Sequence, residues 1–371
     1  MIFSVDDYLK TVGPYLSHDL IVPDALANIR RIGTFIPGLA APFFGFECRL
    51  GVPEAAVDFL LCASAKDAGR GILAGQDPEN RLPDTFTHPV WMHLRAFCKD
   101  WAEPTSPLYE TVKNVWLEFD LDRQPVAVPI PSIFFGAYPG KLSSENAVHA
   151  HWVADAALTA LLGRNLPTAL RSRILGCIAA LPQKAYVFQI GMMLGRHTES
   201  VRICIRNLRP DHVPEYLEAI DWTGDIQELN PLLIRLRALV DRVDIDIDVG
   251  DTIPAKIGME CYINEFSSAK LKWRKFLRHL VDQGLCIPAK RKALIRYSGW
   301  ITDRTHPEIW SDQLRQTSAF LESDKVSAIL RWIHHIKVVY QPGQSTEAKA
   351  YLAVNHQWLN LKREAAHDGL I

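Results

Sequence analysis

The stretch VDIDIDVGDTIPAKIGMECYIN, residues 243–264, sets Asp244, Asp246 and Asp248 at every second position and then Lys256, Gly258, Glu260 and Tyr262 at every second position. Val243, Ile245 and Ile247, then Ile257, Met259, Cys261 and Ile263, fill the alternate places. Successive side chains of a strand point to opposite faces, so this pattern predicts two strands, each with one charged side and one oily side. The Gly, Asp and Pro residues between them supply the turn of an antiparallel hairpin.

Four further segments repeat the pattern: FFGFECRLGVPEAAVDFLLCAS (43–64), VWLEFDLDRQPVAVPIPSIFFG (115–136), YVFQIGMMLGRHTESVRICIRNL (186–208) and HHIKVVYQPGQSTEAKAYLAV (334–354). In the first, the proline of VPEAAVDFLLCASA is equally suited to start a helix. Between the pairs the apolar spacing changes to three or four, as in residues 145–181, 231–242 and 270–285, which predicts amphipathic helices.

Sorted by parity, one side of the paired strands is oily: Phe44, Phe46, Val115, Leu117, Phe119, Phe188, Ile190, Ile203, Ile205, Ile336, Val338, Leu352 and Val354. The other carries Glu47 and Arg49, Trp116, Glu118 and Asp120, Gln189, Arg202 and Arg206, His335 and Lys337, Lys349 and Tyr351. An ordinary one-sided sheet facing water is one reading of such a face. An enclosed polar surface is the other. Ten strands in an open sheet leave two edges that closure removes, and the recurrence of Arg, Tyr, Trp, His and Gln suits a ligand site better than a wet face. The expected fold is α+β: about five αββα repeats forming a ten-stranded antiparallel barrel with a polar lumen, surrounded by helices. A length of 371 residues would by itself favour two domains. With no linker of low complexity, the expectation is one domain over 1–371, with 1–30 and 359–371 peripheral.

This order of helix, strand, strand and helix resembles the αββα barrel of aromatic prenyltransferases, the ABBA fold. The resemblance implies an allylic diphosphate held in the barrel by Arg, Lys and Tyr, and a glutamate on an early strand that takes a proton from the aromatic acceptor. Glu47 in GFECRL looks like that glutamate. AKAYL, with Lys349 and Tyr351, is similar to the family's Lys-x-Tyr strands, and VRICIR places Arg202 and Arg206 on another. Lys256, Tyr262 and Lys337 extend the ring, and Trp116, Glu118, Gln189 and Glu260 complete the substrate-binding set. The pattern departs at PSIFFG, which lacks a Lys or Tyr, and at Cys204, which stands where a lysine is expected.

Read without the family, two arginines at i and i+4 of a strand project to one side and, with the lysines, suit a phosphorylated or carboxylated ligand. The alternative is that they form salt bridges with the carboxylates lining the same face. Desolvation of Glu47 beside Phe and Trp is expected to raise its pKa toward that of a general base, unless Arg49 ties it down.

A balance of 41 basic and 42 acidic residues offers no global field for nucleic acid or an anionic membrane. No apolar run reaches membrane length, and the seven cysteines are widely spaced and odd in number, so a cytoplasmic location with reduced, buried thiols is expected. His149 and His151 diverge on a helix, and His334 and His335, as neighbours on a strand, are expected on opposite faces, so no metal site is expected. The basic run KLKWRKFLRH (270–279) is expected to dock on the barrel as a helix.

The expected activity is therefore transfer of an allylic group from a prenyl diphosphate co-substrate, with no other cofactor, to an aromatic or peptide-borne acceptor. A binding or maturation-accessory protein for a peptide or small molecule, and a cyclase using the same cavity, are the alternatives.

Overall fold

In the computed structural model, which describes residues 3–84, 86–121, 129–196, 200–264, 269–320 and 325–360, the period-two segments are strands. They are β1 (Phe43–Arg49), β2 (Val57–Ser64), β3 (Val112–Asp120), β4 (Ser132–Ala137), β5 (Tyr186–Met192), β6 (Val201–Arg206), β7 (Arg242–Val249), β8 (Ile257–Tyr262), β9 (Gly299–Thr302), β10 (Lys325–Tyr340) and β11 (Glu347–Asn360). The first hairpin resolves as two strands and not as a helix after Pro53. Parts of two turns, 122–128 and 197–199, and the tail 361–371 lie outside the described residues.

Each strand pairs antiparallel with the next along the order β11-β1-β2-β3-β4-β5-β6-β7-β8-β10, and a direct β10–β11 pairing closes the ring. The expected ten-stranded barrel is present. Closure leaves no free edge among these ten strands, and β9 adds to the outer stretch of β10, where Ala328 faces Thr302 and Arg331 faces Gly299. β9 and the long extension of β10 and β11 beyond residues 334–354 were not legible as strands. In β10 an inserted residue breaks the alternation in the middle of the run.

The oily sides face outward beneath helices. Val115, Leu117, Phe119, Ile203, Ile205, Ile245, Ile247, Ile257, Met259, Ile336, Val338, Leu352 and Val354 are all buried in one apolar cluster. Burying each such side chain contributes about 1.5–3 kcal/mol before entropy is counted. The helix Pro89–Ala102 starts at a proline, where the missing N–H costs nothing, and sends Trp91, Leu94, Phe97 and Trp101 inward. Phe97 meets Phe135 at 5.6 Å between ring centroids, and Trp101 Nε1 donates to the Val112 carbonyl at 2.9 Å, which ties helix to strand. The basic run docks as expected: the helix Ala269–Asp282 buries Trp273, Phe276, Leu277 and Leu280 and leaves its lysines and arginines on the other face. All seven cysteines are buried and unpaired. No helix among the described residues is long and apolar enough to cross a membrane.

Two insertions overturn the parity reading locally. On β5 the register passes from Val187↔Ile205 to Gln189↔Cys204, so Phe188 is an extra residue. Phe188 therefore lines the lumen beside Gln189, and the oily side continues through Val187 and Ile190. On β10 the register passes from Ile333↔Leu352 to His335↔Tyr351, and His334 is the extra residue. The expectation that His334 and His335 face opposite sides fails for this reason: a β-bulge lets two consecutive residues share a face.

Candidate functional site

The lumen has two layers, set by position along the strands. Residues 202 and 206 of β6 are separated by about 13 Å at the usual strand rise. Around Arg202 the neighbouring strands place Glu47, Glu118, Asp246, Asp248, Lys256, Lys337, Lys349 and Tyr351, with Arg196 reaching in from the turn after β5. Around Arg206 they place Phe43, Trp116, Phe134, Phe188, Tyr262, His334 and His335, which with Leu60, Tyr186 and Gln189 line a cavity of about 240 Å³. Glu118, Arg202, Lys337 and Tyr351 border both spaces. The lumen is thus aromatic at one level and ionic at the next.

All twelve residues singled out from the sequence line this lumen, but they fall into two sets. Glu47, Lys256 and Lys349 belong to the charged layer. Trp116, Gln189, Arg206, Glu260 and Tyr262 belong to the aromatic layer, and Glu118, Arg202, Lys337 and Tyr351 lie between. Parity reasoning missed the apolar part of the lining, namely Phe43, Leu60, Phe134 and Phe188. Phe134 was legible in principle, since it stands directly opposite Trp116 in the β3–β4 register. Its ring fits because Gly191 lies beside it: a Cβ there would sit 1.8 Å from the Phe134 ring.

Most of the cations are already paired. The three aspartates of β7, which stand across from β6, take the arginines: Arg202 Nε lies 2.8 Å from Asp248 Oδ1 and 3.4 Å from Asp246 Oδ1, and Arg206 Nε lies 2.8 Å from Asp244 Oδ2. Lys337 Nζ lies 2.8 Å from Asp246 Oδ2, and Gly258 makes room for this pair. Arg196 Nε binds Asp120 Oδ2 at 2.7 Å. Lys256, half-buried, has no carboxylate within ion-pair distance among the described residues, and burial followed by the Arg202 charge pushes its ammonium pKa down. The cavity-lining salt bridges weighed from the sequence therefore exist, with the β7 aspartates as the main partners.

The carboxylates differ in state. Burial alone would raise the pKa of Glu47, but the Lys349 and Lys337 charges and hydrogen bonds from Lys349 and Tyr351 outweigh it and hold the group at about 2. The expectation of a raised Glu47 pKa is thereby corrected, and its partner is Lys349, at 2.7 Å, while Arg49 faces Asp58. Glu118 goes the other way: burial, then the Glu47 charge, push it up to about 8. It has no hydrogen bond or ion pair among the described residues. Glu260, also raised by burial, to about 7, accepts from Tyr262 Oη at 2.6 Å. No group of three or more His, Cys, Asp or Glu side chains among the described residues is arranged to hold a metal ion.

No protein-family model matches the chain, and no curated protein matches it. Among solved structures the chain is similar to the apo form of the prenyltransferase PriB, with TM-score 0.49 and 14% identity over 94% of each chain. It is similar to PriB in binary complex with product diphosphate, with TM-score 0.47 and 14% identity over 94% of this chain and 95% of that one. It is also similar to 6-dimethylallyltryptophan synthase from Micromonospora olivasterospora in complex with DMASPP and Trp, with TM-score 0.48 and 11% identity over 96% and 97%. The barrel itself rests on the strand pairings described above, and its α+β architecture matches the αββα arrangement expected from the sequence.

Proposed function

We propose that the chain is a prenyltransferase-like enzyme that moves an allylic group from a prenyl diphosphate to an aromatic acceptor, free or peptide-borne. The observation that carries this reading is the layered lumen, an aromatic cavity opening directly onto a cluster of five cations. A diphosphate would lie against Lys256, Arg202, Lys337, Lys349 and Arg196, whose charges favour the leaving group as the allylic C–O bond breaks and the electron pair departs with it. The ring faces of Trp116, Phe134, Phe188 and Tyr351 suit the resulting cation. The acceptor ring then supplies the electron pair of the new C–C bond and loses a proton. Glu118 is the best-placed base in its ionised form: it has no hydrogen bond or ion pair among the described residues, it borders both layers, and burial pushes its pKa up to about 8, which gives the carboxylate a high affinity for the acceptor's proton. Glu47, locked to Lys349 and Tyr351, is better suited to holding those two side chains in place.

Calorimetry with dimethylallyl and geranyl diphosphate, followed by incubation with indoles, phenols and peptides, tests the proposal. The absence of any diphosphate binding removes it. A second reading, a non-catalytic binder of a small polar molecule or peptide, is favoured by the fact that Arg202, Lys337 and Lys349 already have carboxylate partners. Under that reading ligand binds and Glu118→Gln has no turnover to abolish.

A further inference from the structure

The β10 bulge puts two imidazoles side by side on the wall of the aromatic cavity, with His334 Nδ1 and His335 Nδ1 2.8 Å apart. At that separation one Nδ1 carries the proton and the other receives it. His335 is nearly fully buried, its ring stacked at 4.1 Å on Tyr351, and its Nε2 has no partner among the described residues. If His334 donated, neutral His335 would hold its own proton on Nε2, leaving a buried N–H with nothing to accept it. If His335 donates, Nε2 holds only a lone pair, and the nearby positive charges of Lys337, Arg206 and Arg242 favour a lone pair there over an N–H. The same surroundings and burial keep both rings neutral. His334, receiving at Nδ1, then has its proton on Nε2. It is half-buried on the cavity wall and makes no other hydrogen bond among the described residues.

From this we infer that the His334–His335 pair is a binding site for an oxygen on the acceptor molecule, with His334 Nε2–H donating to a carbonyl or carboxylate while the acceptor's ring packs on Phe43 and Tyr262, which flank His334 on the cavity wall. The inference rests on the reading of the aromatic layer as the acceptor site and narrows the acceptor to an aromatic compound that carries such an oxygen beside its ring. His334 would be a positioning residue, with Glu118 kept as the proposed base.

Two measurements on the full chain decide it, and neither needs a prenyl diphosphate. Long-range proton–nitrogen NMR of histidine-labelled protein reports which nitrogen of each ring is protonated. The expected pattern is Nδ1–H for His335 and Nε2–H for His334, and the opposite assignment overturns the inference. Calorimetry with indole, indole-3-acetamide and indole-3-acetate then tests the ligand. One of the two oxygen-bearing probes should bind about tenfold more tightly than indole, the size expected of one hydrogen bond, and which one does so tells carbonyl from carboxylate. His334→Phe should erase that preference, so that the three probes bind alike, and His334→Gln, which keeps an N–H donor, should restore part of it. No preference in the wild type, whether from equal binding or from no binding, overturns the inference. So does equal loss of all three probes in His334→Phe. Failure here with diphosphate binding intact leaves the proposed transferase reading standing.

Discussion

Lys349 Nζ donates to Glu47 Oε1 at 2.7 Å across the β1–β11 pairing, and Tyr351, two residues along the same strand, donates to the other oxygen. This buried ion pair spans one of the two seams by which the C-terminal strands close the barrel, so its removal bears on closure as well as on the lumen. Lys349→Met should cost about 3–5 kcal/mol in urea unfolding, because it leaves a buried carboxylate with only the tyrosine hydroxyl. Adding Glu47→Gln should recover most of that loss. If the single variant unfolds at the wild-type urea concentration, the pair is not holding the carboxylate as described.

The same pair sets an acid limit. The Glu47 pKa is lowered from 4.5 to about 2 in the folded chain, so the unfolded state binds the proton first as pH falls. The contribution, about 3 kcal/mol, is present above pH 4.5 and is lost as pH drops toward 2. Unfolding midpoints between pH 6 and pH 2 should fall less steeply in Glu47→Gln than in the wild type.

Glu118 titrates with the opposite sign. Its pKa is raised from 4.5 to about 8, so the folded state keeps a proton that the unfolded state has released, and stability declines as pH rises through that window. Glu118→Gln should flatten the decline between pH 5 and pH 8. Under the proposed mechanism it should also abolish turnover while diphosphate affinity stays within about threefold. Parallel pH profiles for variant and wild type would show that the carboxyl is not raised.

Lys256 and Lys337 border the same charged layer but differ in attachment, and the difference is measurable. Lys337→Met should destabilise by about 3 kcal/mol, since it strips Asp246 of its nearest cation. Lys256→Met, which breaks no ion pair among the described residues, should leave the urea midpoint nearly unchanged and weaken dimethylallyl diphosphate binding by about ten- to a hundredfold, the range for a hydrogen bond to a charged group. Equal diphosphate affinity in Lys256→Met and the wild type would place the anion elsewhere.

Gly191 lets the Phe134 ring lie against β5, where any Cβ would overlap it. Gly191→Ala should push that ring into the cavity, at a cost of about 1–3 kcal/mol, and reduce the affinity for indole probes more than that for diphosphate. Uniform loss for both ligands would argue for general damage to the barrel instead.

By itself the sequence determined the pairing into hairpins and the chemistry of the two faces, because alternation along a strand is a local property. Ile245 and Ile247 went to the oily side and Asp244, Asp246 and Asp248 to the side of the lumen arginines without any knowledge of their neighbours. Only the tertiary structure decided which strands close the ring, which acid each cation takes and which carboxyl has its pKa raised, since these depend on groups as far as 302 residues apart in the chain. The single inserted residues Phe188 and His334 belong to the same class: a bulge changes the face of every residue beyond it, yet nothing in local composition marks its place. That is why Glu47 was legible as a lumen residue while its proton affinity was not, and why the histidine pair became visible only in the folded barrel.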